Sequence, residues 1–437
     1  MEYDSLIPGF QQELTEDPSG TLAKYGFSFS PQDVSFLPNT IEGGDVIMHA
    51  AFPDTPAEKY AEFMRKKTDQ RGILRRLCEP DNPSMKKWRA RQIGRCTIQL
   101  GTKFSALIHA PFSIELSDGC SVGCDFCGLK AGRLKSVFRY TPENAALFNE
   151  ILSAVREVIG PAAGQGTLYF ASEPLDNPDY EKFMEDYIRC FDTIPQITTA
   201  RADLNIERLR PLLEQINGSQ KAIYRFSMLS EEMTRKIFDA FTPEELILTE
   251  LLPQYDEAPA SGLVNAGRRA KEDKYEDTIS CMSGFVVNLA RRDIKLTTPV
   301  WASKDHPTGE CILEIATFTS GEEFKEILEG MISRHMSNII APDDRIKLED
   351  GLSLKINEGN VVISTDKYVN ITLETKGDPS MFGKLFDVLG KGYKLKRDIV
   401  EELCHPGEGK LVPPEIVYFI LNKWWGLGFI RTESGKL

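Results

Sequence analysis

The chain has 437 residues, with 52 Lys and Arg against 65 Asp and Glu and a formal net charge of −13. A hydrophobic share of 41% is enough to build a large core, which excludes wholesale disorder. The acidic balance excludes nucleic-acid binding through a broadly basic surface, and no apolar run of about 18 residues is present to cross a membrane. The acidic N-terminus MEYDSLIPGFQQELTEDP has no signal-peptide core, so a cytoplasmic location is expected. Nine cysteines, an odd number in a long chain, argue against a disulfide framework.

Residues 1–110 read as an N-terminal helical extension. Within it, DPSGTLAKYG (17–26) is a short helix closed by a glycine. The stretch 65–95 carries Arg65, Lys66, Lys67, Arg71, Arg75, Arg76, Lys86, Lys87, Arg89, Arg91 and Arg95. It reads either as a solvated helical face or as a docking surface for an acidic partner.

From residue 111 to 290 strands and helices alternate. Strands are expected at FSIEL (112–116), TLYFA (167–171), PQITTA (195–200), AIYRFSM (222–228), ELILTEL (245–251) and SGFVVNL (283–289). Helices are expected between them, including one over 141–160 with Thr141 as cap and Pro142 in its first turn, one capped by Ser230, and one over SGLVNAGRRAKE (261–272). Six strand–helix units imply an α/β fold with parallel strands and right-handed crossovers, a partial (βα)6 barrel short of the eight units of a closed one. Residues 291–342 read as a bridging segment ending in a helix. Residues 343–437, four short alternating strands followed by helices, read as a separate α+β module of winged-helix-like shape.

The chemistry is concentrated in IELSDGCSVGCDFCGLKAG, where Cys120, Cys124 and Cys127 stand in a C-x3-C-x2-C spacing just past the first barrel strand. That is the end of a parallel sheet on which active sites are built. Three thiolates hold three corners of a 4Fe–4S cubane and leave the fourth iron open. The alternatives are a zinc site completed by Cys96 or His109 and three unliganded thiols.

CSVGCDFC, with Phe126 before the last cysteine, resembles the signature of the radical S-adenosylmethionine superfamily. The resemblance implies one 4Fe–4S cluster whose open iron binds S-adenosyl-L-methionine and, on one-electron reduction, yields a 5′-deoxyadenosyl radical. It implies cofactor contacts at Phe126 and at Ser172-Glu173, where ASEP stands in place of a glycine-rich turn. Glu173 is read as the partner of the methionyl amine or as a plain helix-entry carboxylate. Ser227 is read as reaching the ribose or as an ordinary strand serine.

The wider segment WRARQIGRC…ALIHAPFSIELSDGCSVGCDFCGLKAG, with SEPLDNPDY and CMSGFVVNL, resembles one branch closely: the maturases that epimerise residues of ribosomally made (proteusin-type) peptides from L to D. That resemblance implies abstraction of a Cα hydrogen and return of a hydrogen atom to the opposite face by a cysteine thiol. It implies a donor cysteine directly after the proline beyond the last barrel strand, where this chain has Val300. Cys311, expected at the barrel mouth, is then the first candidate and Cys281, expected on the closed face, the second. The C-terminal module is read as binding the leader of the precursor peptide by strand addition, or as a capping or dimerisation module. Cys404 is read as a packed helix residue. A reductant such as flavodoxin or ferredoxin is the second expected partner, and neither nucleic acid nor membrane is expected. The scattering of the other cysteines implies no second cluster. The competing readings are a radical maturase that forms a cross-link or another C–H modification, and a non-catalytic peptide-binding scaffold.

Overall fold

The computed structural model describes residues 6–26, 41–42, 45–46, 73–101, 107–219, 222, 224–259, 263–270, 274–276, 278, 280–357, 360–366, 369–374, 379–405 and 411–433. Two short helices come first, α1 (Phe10–Glu16) and α2 (Pro18–Lys24), the second capped by Asp17, whose carboxylate accepts from the Gly20 amide. Helix α3 (Pro83–Leu100) starts on Asn82, whose side chain accepts from the Ser84 and Met85 amides. Of the basic stretch read as a solvated face or docking surface, Arg65, Lys66, Lys67 and Arg71 lie outside the described residues. Lys86 and Lys87 are exposed. Arg89, Arg91 and Arg95 are buried and tied to the interior. Arg89 Nε donates to the His109 carbonyl at 2.7 Å, Arg91 lies 4.1 Å over the Trp425 ring, and Arg95 donates to the Pro299 carbonyl at 2.5 Å. These three guanidiniums satisfy buried carbonyls and are not free to meet a partner.

The central sheet is an arc. Strand β1 (Ala110–Glu115) leads through the two-residue strands β2 (Ser117–Asp118) and β3 (Ser136–Val137), which pair antiparallel, into helix α4 (Pro142–Ile159). Thr141 caps α4, and Leu147, Phe148, Ile151, Leu152, Val155 and Ile159 form its buried stripe. The expected second strand is reduced to single parallel bridges from Thr167 to Ser113 and to Gln196. Helix α5 (Tyr180–Phe191), strand β4 (Thr198–Thr199), helix α6 (Ile206–Ser219), strand β5 (Tyr224–Met228), helix α7 (Glu231–Ala240, capped by Ser230) and strand β6 (Thr249–Pro253) follow, with β4, β5 and β6 parallel. The helix expected over 261–272 is absent from its described part, residues 263–270, which form turns and bends.

The last parallel strand, β7 (Met282–Asn288), does not extend the arc past β6. It pairs with β1, Phe112 opposite Phe285 and Glu115 opposite Asn288. Gly284 allows this approach, since a Cβ there would lie 1.9 Å from the Pro111 carbonyl oxygen. The segment read as a bridge then adds two antiparallel strands, β8 (Asp293–Pro299) and β9 (Glu310–Thr317), so this sheet runs β9-β8-β7-β1. Through Thr167 it continues into β4-β5-β6. The result is a mixed α/β arc; no closed barrel forms among the described residues. Phe112, Ile114, Tyr224, Phe226, Phe285 and Val287 enter one core with α4 to α7 and helix α8 (Gly321–His335). Alternation turns Ser113, Glu115, Arg225, Ser227, Val286 and Asn288 to the other, inner face.

The C-terminal part has its own core. A three-stranded meander, β11 (Leu352–Asn357), β12 (Asn360–Thr365) and β13 (Asn370–Glu374), stands beside a small sheet in which β10 (Arg345–Leu348) lies between β14 (Lys394–Leu395) and β15 (Ile430–Thr432). Helices α9 (Ser380–Gly390), α10 (Lys396–Cys404) and α11 (Pro414–Gly426) pack Leu385, Ile399, Leu403, Val417 and Trp424 together. Ile98 of α3 joins this core while Met85 and Trp88 join the first, so α3 links the two. No helix among the described residues is long and apolar enough to cross a membrane.

Candidate active site

The loop that carries the three cysteines leaves the C-terminal end of β1. Its entry is anchored by Glu115, whose buried carboxylate accepts from the Ala171 amide at 2.6 Å and from Asn288 Nδ2 at 3.2 Å. Burial raises the pKa of this carboxyl. Asn288 also donates to the Ser117 carbonyl at 2.9 Å. The end of β1, the end of β7 and the turn after Thr167 are thereby tied at one point.

Beyond it the chain turns at Gly119, with φ +91°, where a Cβ would meet the Arg133 carbonyl oxygen at 2.2 Å. The loop then folds on itself. The Cys120 amide donates to the Gly132 carbonyl at 2.9 Å, and the Leu134 amide donates back to the Cys120 carbonyl at 3.2 Å. Cys120, Cys124 and Cys127 are all half-buried. Burial pushes the Cys120 thiol up, against the pull of the Val122 and Gly123 amides directed at its sulfur, with Glu173 and Asp176 adding to the rise. The Cys124 thiol is pushed up to about 11, first by burial and then by Cys127 and Cys120. The Ala131 amide donates to Cys127 Sγ at 3.4 Å.

Three groups from other units clamp this loop, and sequence reasoning singled out none of them. Asp176 accepts from the Ser121 amide at 2.9 Å, and Arg201 Nη2 donates to the Ser121 carbonyl at 3.2 Å. Arg268 Nη1 donates to the Cys124 carbonyl at 2.6 Å, its Nη2 to the Ala131 carbonyl, and its amide to the Cys127 carbonyl at 3.0 Å. Asp176 stands in the quoted SEPLDNPDY run, three residues past Glu173. Arg268 was hidden in a stretch read as helix.

The donor set is of the kind an iron–sulfur cubane takes. It consists of three half-buried thiols, with amides aimed at two of the sulfurs, and hydrogen bonds to sulfur are one of the protein's means of tuning such a cluster. Among the described residues no three His, Cys, Asp or Glu groups converge to hold a single metal ion. The residues considered for completing a zinc site are engaged elsewhere. The Cys96 thiol lies 3.5 Å from the Pro299 carbonyl and His109 Nδ1 lies 2.8 Å from Ser283 Oγ.

Of the other residues read from the sequence, Glu173 is buried at the turn after Thr167. Its carboxylate accepts from Thr199 Oγ1 at 2.6 Å, the Ala200 amide at 2.9 Å and the Leu175 amide at 3.2 Å. It is close enough to Cys120 to act on its charge. Ser172 is half-buried beside it and Phe126 half-buried in the loop. Ser227 lies on the inner face of β5, two residues from Arg225, which pairs with Glu250 at 2.7 Å. Tyr169 reaches Thr198 Oγ1 at 2.5 Å. Lys295 pairs with Glu310 at 2.8 Å and lies 4.7 Å over the Phe170 ring.

Cys311 is not at the mouth of the arc. Strand β8 carries the chain back beside β7, Thr297 opposite Gly284, and Cys311 pairs with Thr298. Cys311 is therefore level with the start of β7, about 17 Å along the strands from the end where the loop begins. Val300 is buried near it, its amide donating to the Gly309 carbonyl at 3.0 Å. Cys281 precedes β7, its carbonyl accepting from the Ala110 amide at 3.1 Å, and so also lies at the far end. Its thiol stands within electrostatic range of Arg225. Cys404 is buried in the C-terminal core.

No family model matches the chain. The uncharacterized protein y4wI of Sinorhizobium fredii is 35% identical over 360 residues, which cover 78% of this chain and 69% of that protein. Among solved structures the chain is similar to BtrN in complex with AdoMet and 2-DOIA, with a TM-score of 0.31 and 15% identity over 42% of this chain and 71% of that one. A likeness at that level fixes neither fold nor activity.

Proposed function

The chain belongs to the same family as y4wI of Sinorhizobium fredii, itself uncharacterized, and we propose that it is a radical S-adenosylmethionine enzyme that epimerises residues of a ribosomally made precursor peptide. The observation that carries the radical reading is the cysteine loop: three half-buried thiols in C-x3-C-x2-C order at the C-terminal end of a parallel strand, with Glu173 beside the first of them. Cys120, Cys124 and Cys127 would hold one 4Fe–4S cluster. Together with S-adenosyl-L-methionine, that cluster supplies the radical chemistry that removes a Cα hydrogen.

The chain's own residues have separate tasks. Arg268, Asp176 and Arg201 fix the loop backbone, so the three sulfurs keep their spacing when the group they hold changes charge. Glu173 offers a carboxylate with lone pairs to spare to the methionyl amine, while Thr199 and Ala200 set its direction. Phe126, Ser172 and Ser227 are the further cofactor contacts of this reading. The inner face between the two ion pairs Arg225–Glu250 and Lys295–Glu310 receives the peptide. Of the two thiols considered as hydrogen-atom donor, Cys281 is the better candidate in this reading, because its thiol is within electrostatic range of Arg225, a residue of the inner face. The division into 1–110, 111–290, 291–342 and 343–437 belongs to this proposal. So does the role of the C-terminal module, whose antiparallel sheets offer an edge to a leader peptide.

One observation favours a second outcome of the same chemistry. Cys281 and Cys311 both lie at the far end of the strands from the loop, so a peptide radical formed near the loop has no thiol beside it. Oxidation to a cross-link then competes with hydrogen return. Co-expression with the precursor peptide in D2O separates the two. Epimerisation gives D-residues with deuterium at Cα and no other change in mass, a cross-link gives a loss of two mass units, and an unaltered peptide contradicts both.

A further inference from the structure

We propose that the exposed basic ridge formed by Lys130, Arg133 and Lys135 is the docking surface for an acidic one-electron carrier protein. The proposal rests on the iron–sulfur reading above and adds to it where the electron enters. The ridge is folded directly onto the cysteine segment: Arg133 pairs with Cys120 in a parallel bridge, and the Lys135 amide donates to the Asp118 carbonyl at 2.8 Å.

The charge pattern carries the choice of partner. The chain as a whole is at −13, yet Lys130, Arg133 and Lys135 are all exposed within six residues of sequence. Asp118 on β2 pairs with Lys135 at 3.3 Å and with Arg291 at 3.2 Å, and Arg291 also pairs with Asp293 at 2.7 Å. Asp125 is the exposed acid of the loop itself. Leu134, 36% exposed, stands between Arg133 and Lys135 in the sequence. A cationic segment with an exposed apolar residue, on an otherwise acidic molecule, steers an acidic protein to this end and orients it there. In the other basic segment Arg89, Arg91 and Arg95 are buried against the chain's own carbonyls, and the exposed Lys86 pairs with Glu79.

A carrier protein fits this surface better than the substrate peptide does. A peptide must reach the inner face of the arc, where Glu115, Asn288 and Arg225 lie. A carrier needs only to come close to the loop, since electron transfer falls steeply with distance. In the transfer, the reduced carrier, a flavoprotein or a ferredoxin, loses one electron and the loop-held cluster gains it; no atom moves between them.

The test uses the full chain and an acidic flavodoxin in its oxidised form, with binding followed by calorimetry at low and at physiological salt. The expected result is salt-sensitive binding that the Lys130→Glu/Arg133→Glu/Lys135→Glu variant weakens by about tenfold or more. A Lys384→Glu/Lys391→Glu variant, altered at exposed residues of the C-terminal module, should bind as the unaltered chain does. Unchanged binding in the ridge variant, with circular dichroism showing both variants folded, would overturn the proposal. So would an equal loss in the two variants, or a ridge that takes a glutamate-rich peptide and not flavodoxin. Iron content, measured separately, tells the two readings apart. A chain without iron that still binds flavodoxin through the ridge contradicts the cluster, and a chain with iron that ignores flavodoxin contradicts the docking surface.

Discussion

The two ends of the parallel arc are built from the same residue types put to opposite uses. At the end where β1 finishes, three cysteines are half-buried in a loop, amides aim at two of their sulfurs, and basic residues stand in solvent. At the other end Cys78 and Cys96 are fully buried, Cys281 and Cys311 partly so, and Arg89 and Arg95 close off backbone carbonyls. Burial raises the pKa of all four of these thiols, which keeps them in the protonated form at neutral pH. The difference teaches that a cysteine or an arginine in this chain declares its role through exposure and backbone partners, and not through its identity.

The comparison is broken most severely at the loop. Cys124→Ala is expected to abolish iron incorporation and the release of methionine and 5′-deoxyadenosine under reductant, while costing the apo-chain about 1 kcal/mol of stability or less, because the thiol is half-exposed. Iron assay and urea denaturation read the two effects. A variant that retains cofactor cleavage removes Cys124 from the site.

At the far end the effect is on folding, and it depends on pH. Burial holds the His109 imidazole down to about 3 from its ordinary 6.5, with Arg89 and Arg95 adding to the effect. The unfolded chain takes up a proton near pH 6.5 and the folded chain only near pH 3. In that window the unfolded state binds more protons, so stability falls on acidification by about 1.4 kcal/mol per pH unit. Urea midpoints at pH 7 and pH 5 should therefore differ more for the native chain than for His109→Asn. Equal differences would show that the site does not hold the imidazole neutral.

Between the ends, Gly284→Ala tests the pairing of β7 with β1. Its Cβ would overlap the Pro111 carbonyl, backbone on backbone, and a loss of about 3 kcal/mol is expected, read as a lowered urea midpoint. The smallest effect is expected at Arg268→Ala. It leaves the ligands in place but frees the Cys124 and Ala131 carbonyls; iron affinity should fall about tenfold, measured by chelator competition. No change in iron affinity would reduce Arg268 to a surface clamp.

Much of this was legible in the sequence, and what was not has a physical reason. Caps and apolar stripes located α4 and α7 closely, since Thr141 and Ser230 each accept a first-turn amide and local signals suffice for helices. The cysteine motif was legible because its spacing is local too, and the structure adds that the three thiols share one half-buried loop at the end of β1. Pairing partners are not local. Nothing in SGFVVNL says that it returns to β1, and that return depends on Gly284. The β8–β9 hairpin was read as a bridge, so Cys311 was expected at the mouth when the hairpin takes it to the opposite end. TLYFA has the composition of a strand, yet it pairs only at Thr167. Part of the basic stretch was misread for a similar reason: only the fold shows that Arg89, Arg91 and Arg95 are buried, while Arg76, Lys86 and Lys87 are exposed as a solvated face requires.

The central claim is that the half-buried cysteines of the loop hold a single iron–sulfur cubane that activates S-adenosyl-L-methionine. Anaerobic reconstitution followed by iron and sulfide analysis tests it most directly. The account expects about four of each per chain, lost together in Cys124→Ala. About eight of each, or a stoichiometric zinc with no sulfide, would contradict it.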